Sequence, residues 1–456
     1  MKRKFLFLTS ILFIGMVLFS CNGKNQGEDN GDNGGDDNIE PAYYSVLADN
    51  KFVATDIVNL IFSTMESNDQ TLLMKGMIVN KLMGFTSLVE KEYDVKNIEL
   101  GFRKVAYSYK TIGVDGKPLE LSSVASWYIY RAKGDTVWYD ISPERIALLE
   151  HYTITSDAEC PTQSFPFELL VAGNTLSIMP DYIGYGLTRN MTHPYLNHDI
   201  CMQNSVDALP AGYTLFKDLA NVDLNDGWKL CVIGASQGGA NALAVHKYMD
   251  TNAEFANKWN FEYSYAAVGP HNPSLTMKKY FEKGKTSYPV VFPLTLNAMI
   301  NSYPEIMGKY TEADMFSEAY LQIKETISQM LESKDYTTAE INAVFLENLR
   351  ITVDENLAEN EIYLKDMLND VMFDNESEFV KDLFKCFDKN DLTKGWNPTH
   401  PIKLYYSTAD EVVPYENSLA VKEAFGDKVT TFEAEAPLGH VEATLMWMIK
   451  VFTEGL

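Results

Sequence analysis

The chain has 456 residues, 46% of them hydrophobic, and a formal net charge of −25. The apolar share is enough for a large buried core. The acidic balance, with no basic cluster to offset it, repels nucleic acid and anionic lipid headgroups and excludes a nucleic-acid partner.

Met1-Lys2-Arg3-Lys4 is a basic start, and Phe5 to Phe19 is a nearly continuous apolar run. That run is too short and too close to the terminus for a stable membrane span. Leu18-Phe19-Ser20-Cys21 then reads as a lipobox, a small residue before a cysteine whose thiol would receive a diacylglycerol. Residues 1–20 are therefore expected to be a lipoprotein signal peptide, with lipidation at Cys21 and a lipid-anchored location in the bacterial cell envelope at the outer membrane. Losing Lys2, Arg3 and Lys4 takes the net charge from −25 to −28. Residues 21–40 are Asn, Gly, Asp and Glu with almost nothing apolar, a flexible acidic linker that cannot pack a core. Its acidic run is similar to surface-export signals of Bacteroides outer-membrane lipoproteins, and it reads equally well as a solvated spacer.

Residues 41–95 read as helical, with Ile57 to Phe62 and Leu72 to Met77 as the apolar stretches. Val105 to Thr111 followed by Asp115-Gly116 reads as a hairpin. Leu176 to Pro180 is a further strand-like run, and Lys229-Leu230-Cys231-Val232-Ile233 is short, β-branched and apolar. Between the latter run and the helix-forming Gly239 to His246 stands Gly234-Ala235-Ser236-Gln237-Gly238. Strand, G-x-S-x-G, helix is the layout of a nucleophile elbow. The turn is so sharp that positions two before and two after the serine must lack bulk. The hydroxyl then stands clear at the sheet's C-terminal edge, and the backbone N–H of Gln237 can meet a developing oxyanion.

A serine nucleophile needs a base, and the base needs a carboxylate. His246 lies in the helix after the elbow and reads as a surface or packing residue. His271 follows the strand-like Tyr263 to Val268 and could reach the site rim, but no acid follows it. His400 precedes the strand Ile402 to Tyr406 and belongs at the wrong end of the sheet. His440 sits in a loop after the strand-like Lys428 to Phe432 and before a final helical run through Trp447. Asp410 follows the Ile402 to Tyr406 strand directly, so its carboxylate is expected on the serine's edge; Glu411 is the rival and reads as a solvated neighbour. The candidate triad is Ser236, His440 and Asp410.

Val412-Val413-Pro414 after the acid and Gly439-His440 before the last helix resemble the α/β-hydrolase superfamily. Leu176 to Gly186, which contains Pro180-Asp181-Tyr182-Ile183-Gly184-Tyr185-Gly186, and then His193-Pro194-Tyr195 narrow the resemblance to secretory lipases and prolyl-oligopeptidase-like serine hydrolases. The resemblance implies an α/β fold with a mostly parallel central sheet flanked by helices. It also implies a glycine-bearing turn after the third strand that donates an oxyanion N–H. Here that stretch is Leu148-Leu149-Glu150-His151-Tyr152-Thr153, with Tyr152 in the glycine's place. The second donor is then expected from the Tyr152 or Thr153 backbone, and His151 reads as a packing residue that holds the turn.

Residues 272–396 lie between two strands of the catalytic edge and read as an inserted helical cap. Thr311 to Asp314 and Thr337 to Glu340 are capping boxes, while Leu357 to Met372 and Glu378 to Phe387 have helical spacing. The cap's Met and aromatic residues are expected mainly in its own small core. The hydrolase core is then residues 41–271 and 397–456. No cofactor motif and no metal-ligand spacing appears. Of Cys160, Cys201, Cys231 and Cys386, the pair Cys160–Cys201 could form a disulfide in an oxidising compartment. The resulting expectation is a membrane-tethered serine hydrolase acting on a small-molecule ester. An exopeptidase with a peptide substrate and a non-catalytic binding lipoprotein are the alternatives.

Overall fold

A computed structural model describes residues 39–64 and 69–456. The signal-like segment, Cys21 and the acidic linker through residue 38 lie outside the described residues. The first three strands are β1 (Tyr44–Val53), β2 (Ile98–Ile112) and β3 (Pro118–Ala132), paired antiparallel. The two-residue β4 (Tyr139–Asp140) pairs with β3. Then come β5 (Arg145–Glu150), β6 (Thr175–Pro180), β7 (Leu230–Ala235), β8 (Phe261–Ala267), β9 (Ile402–Tyr406) and β10 (Val429–Glu433). Across the sheet the order is β1-β2-β3-β6-β5-β7-β8-β9-β10, and every pairing from β6 to β10 is parallel.

The strands alternate with period two, and the two faces feed separate cores. Val105, Tyr107, Ile146, Leu148, Leu230 and Val232 face the helices His198–Leu219 and Gln237–Thr251. Phe102, Ala106, Ala147, Leu149, Cys231 and Ile233 face the helices Ala54–Thr64, Asp69–Glu92 and His440–Glu454. Each fully buried Leu, Ile or Val there contributes about 1.5–3 kcal/mol. With both faces covered, a ligand reaches the sheet only at its strand ends.

A third apolar cluster is built between residues 273 and 389, with Met299, Met307, Phe316, Tyr320, Phe345 and Leu383 at its centre. Thr337 heads the helix Thr338–Leu349 by accepting from Glu340 N while Glu340 accepts from Thr337 N. Tyr195 and Leu196 join the same cluster, and Tyr280 Oη donates to the Val412 carbonyl (2.8 Å), which ties it to the sheet's C-terminal edge.

Two expectations fail, and the disulfide that the sequence left open is not formed. The N-terminal region is not helical from its start, because Tyr44–Val53 is a strand paired along β2. Its sequence has no clean alternation because no face of this edge strand is fully buried. Leu357 to Met372 is not a helix: Ile362–Tyr363 pairs with Lys285–Thr286, followed by single turns at Leu364–Met367 and Asp370–Phe373. Its apolar residues keep the spacing because they drop into the third core in turn. Cys160 and Cys201 are not bonded, and all four described cysteines are free thiols. Cys160 packs with Ile154, Tyr182 and Tyr185, whereas Cys201 lies in the core of the sheet's other layer.

One described helix, Thr71–Glu92, is long and apolar enough to cross a membrane. Met74, Ile78, Leu82 and Val89 form its buried ridge in the core, while Leu72, Leu73, Met83 and Leu88 are exposed.

Candidate active site

Ser236 caps β7 and opens the helix Gln237–Thr251 with φ 56° and ψ −124°, a conformation strained for a residue with a Cβ. The strain is held by packing on both sides of the turn. A Cβ on Gly234 would strike the Gly238 carbonyl, and one on Gly238 would strike the Glu150 carbonyl at the end of β5. Ser236 N donates to Ala267 O on β8 (2.9 Å), which fixes the turn to the neighbouring strand.

His440 is the first residue of the last helix, and Asp410 follows β9. His440 Nε2 lies 2.9 Å from Ser236 Oγ, and His440 Nδ1 lies 2.7 Å from Asp410 Oδ2. With Nδ1–H donating to the carboxylate, Nε2 is left as acceptor for the serine proton. Asp410 Oδ1 accepts from Val412 N (2.9 Å) and Val413 N (2.8 Å), which locks the carboxylate in place. Burial pulls the His440 imidazole down. The Asp410 charge and hydrogen bond, with Glu411 and Glu442 nearby, outweigh that and hold it above the ordinary value. Glu411 is not the free neighbour that its sequence suggests. Its Oε2 accepts from the His440 backbone N–H (3.1 Å), because the helix start leaves that donor unpaired.

No family model and no curated protein matches the chain. Among solved structures, the rice cell wall degrading esterase LipA of Xanthomonas oryzae aligns with TM-score 0.62 at 17% identity, covering 89% of this chain and 96% of that one. A Legionella pneumophila protein with a provisional hydrolase name gives 0.61 at 17% identity, covering 90% and 97%. Candida antarctica lipase A in its closed state gives 0.50 at 14% identity, covering 77% and 78%. The chain has the α/β-hydrolase fold.

In this α/β-hydrolase fold the turn after β5 sits beside the elbow. Tyr152 and Thr153 line a cavity together with Ser236 and His440. His151 Nδ1 donates to the Tyr152 carbonyl (2.7 Å), and its ring stacks on Tyr182 with centroids 3.9 Å apart. Gln237 N–H, in the first turn of its helix, belongs to the donors that a helix leaves unpaired.

Sequence reasoning missed what holds Gln237. Its side-chain Nε2 donates to His193 Nε2 (2.7 Å), while His193 Nδ1 donates to the Ile183 carbonyl (2.7 Å). Burial pushes His193 down to about 3, so it stays neutral and keeps this tautomer. Gly184, at φ 97°, passes so close to His193 that a Cβ would meet it at 2.9 Å. The only signal in the sequence was the Tyr182-to-Tyr195 segment itself, which names no partner for His193. Glu150 is fully buried beside the elbow, accepts from Tyr182 Oη (2.6 Å) and Ser205 Oγ (3.0 Å), and is pushed up to about 8 by burial.

Of the remaining histidines that the sequence offered as bases, none hydrogen-bonds Ser236 Oγ, whose partner is His440. His271 is buried, and neither ring nitrogen has a hydrogen-bond partner. His246 is fully buried rather than at the surface, and His400 pairs with Asp250 ahead of β9.

Two cavities of the α/β-hydrolase fold meet at Ser236. One, about 40 Å³ open to the centre of a water molecule, is walled by apolar groups including Leu196, Met277, Phe292 and Phe387. The other, about 80 Å³, is lined by Tyr152, Tyr288, Val412 and Val441 together with polar groups that include His440, Glu159 and Glu411.

Proposed function

We propose that this protein is a serine hydrolase that cleaves carboxylic esters. The observation that carries the reading is the Ser236–His440–Asp410 hydrogen-bonded chain ending in a strained serine at a cavity. Ser236 Oγ attacks the carbonyl carbon as its proton passes to His440 Nε2. The C–O bond to the alcohol then breaks, and His440 returns the proton to the leaving oxygen. Water repeats the sequence on the acyl-enzyme, leaving the acid and restoring Ser236. Asp410 stays ionised and stabilises the imidazolium. Gln237 N–H and a backbone N–H at Tyr152 or Thr153 are the proposed oxyanion donors.

The same chemistry cleaves amides. The ester reading is supported by the two neighbours named for it, an esterase and a lipase. The lipobox at Leu18 to Cys21 supports a lipid anchor on the cell envelope. Purified protein is expected to release p-nitrophenol from p-nitrophenyl acetate with an initial burst, and to cleave aminoacyl p-nitroanilides far more slowly. Faster amide than ester cleavage would move the assignment to the peptidases. No turnover by folded protein would favour a binding role.

A further inference from the structure

We propose that the exposed face of the helix Asp69–Glu92 rests on a lipid bilayer, as a contact added to the anchor at Cys21, and that it leaves the Ser236 cleft open to esters in water. The helix has two apolar sides. Met74, Ile78, Leu82 and Val89 turn into the core. On the other side Leu72, Leu73, Met83 and Leu88 are four of the five most exposed large apolar side chains among the described residues. Leu73, Met77, Gly84 and Leu88 recur at helical spacing and form one stripe. A Cβ on Gly76 or Gly84 would meet no atom within 4 Å, so no other part of the described chain covers this face. The outward side of a helix on a water-facing surface is ordinarily charged. From Thr71 to Val89 this one carries Lys75 and Lys81 and no carboxylate, in a chain of net charge −25.

Charge and reach select lipid as the occupant. The acidic remainder of the surface is repelled by anionic headgroups, whereas this stripe offers apolar side chains flanked by lysine, the composition that settles at a membrane–water boundary. Residues 22–38 separate Cys21 from Ile39, the first described residue. At full extension that span is about 60 Å, and the helix itself is about 36 Å long. A lipid on Cys21 therefore keeps the stripe within reach of the bilayer, and a contact too weak to hold the protein alone becomes an intramolecular one.

The contact does not cost access to the site. No described residue of this helix lines either cavity at Ser236. Lys81 and Leu88 border a groove with Arg145 and Thr175, the first residues of β5 and β6, whereas Ser236 follows the last residue of the parallel β7.

The test uses the full-length protein with a bimane label at Leu73→Cys or, separately, at Ile351→Cys. Ile351 is as exposed as Leu88 but belongs to the cap. The four described cysteines are buried, and wild type treated in the same way gives the background. On phosphatidylcholine vesicles containing lipid spin-labelled on its acyl chain, the label at position 73 is expected to lose about half its fluorescence or more, and the label at 351 little. Leu72→Gln, Met83→Gln and Leu88→Gln together should cut that quenching severalfold and leave kcat on p-nitrophenyl acetate unchanged. Vesicle-bound wild type should cleave the same ester within about twofold of its rate without vesicles. Equal quenching at the two positions, or none at 73, overturns the contact. Shielding of position 73 that follows protein concentration and not lipid gives the face to a second copy and also overturns it. Loss of soluble-ester cleavage on vesicles overturns the open cleft. Mass spectrometry of the N-terminal peptide reads the anchor separately. A diacylglyceryl group on Cys21 with an unquenched label keeps the anchor and removes the contact; a quenched label without that group supports the contact and removes the anchor.

Discussion

Two serine–histidine–aspartate chains occupy opposite ends of this sheet. At the C-terminal edge stand Ser236, His440 and Asp410. Toward the other edge, Ser264 on β8 lies 2.8 Å from His246 Nδ1, and His246 Nε2 lies 3.0 Å from Asp250 Oδ2. Residue types and hydrogen-bond order match, yet the surroundings differ. Ser264 is fully buried in a strand, whereas Ser236 stands in a strained turn at two cavities. Asp410 serves one histidine, whereas Asp250 also accepts from His400 and from the N–H and hydroxyl of Thr399. Burial wins at His246 and lowers it, while Asp410 wins at His440 and raises it. The second chain clamps the end of the helix Gln237–Thr251 to the segment leading into β9. A triad is thus recognised by access and by the charge left to its histidine, not by its members.

The largest effect that would break this comparison is kinetic. Ser236→Ala and His440→Ala should each lower kcat by about 10⁴-fold or more. Ser264→Ala should change kcat less than about threefold in the same ester assay. Asp410→Asn should cost somewhat less than His440→Ala, and the two together little more than His440→Ala alone; losses that add as free energies would show that they do not act as a unit.

Stability should respond in the opposite pattern. Asp250→Asn removes the charge that three neighbours share and should cost on the order of 3 kcal/mol in denaturant unfolding. The pH signs also oppose. His440 is raised, so its contribution is full below the unfolded value near 6.5 and fades as pH rises through its folded value. His246 is lowered, so the native state loses stability as pH falls below about 6.5, because the unfolded chain takes up that proton first. The acid limb of kcat/KM should therefore lie above pH 6.5 while stability at Ser264–His246 falls on acidification, and Asp250→Asn should alter only the second profile.

Smaller effects sharpen the description of the site. His193→Ala should lower kcat about tenfold by freeing Gln237, with less change in KM, and His193→Gln should restore part of it. Cys21→Ala should release the protein from membranes without altering kcat. Retention in the membrane fraction at high salt would show that the lipobox reading is wrong.

The parallel strands and the elbow were legible because a short apolar run before G-x-S-x-G has few alternative foldings. Asp410 and His440 were legible because each follows a strand. The strand Tyr44–Val53 was not, since an edge strand with one β-bulge and no fully buried face leaves no periodic trace. The roles of Glu411 and His193 were also hidden. Both depend on a backbone N–H or an amide brought near by tertiary packing across 29 and 44 residues. The same holds for the second serine–histidine–aspartate chain, whose members look like packing residues singly and become a unit only in three dimensions.

The central claim is that access and charge distinguish Ser236 from Ser264. A fluorophosphonate probe forms a covalent adduct only with a serine that is both activated and reachable. Folded full-length protein should carry one adduct, mapped by peptide mass spectrometry to Ser236 and lost in Ser236→Ala and His440→Ala but retained in Ser264→Ala. An adduct on Ser264, or none on a protein shown to be folded by circular dichroism, would contradict the account.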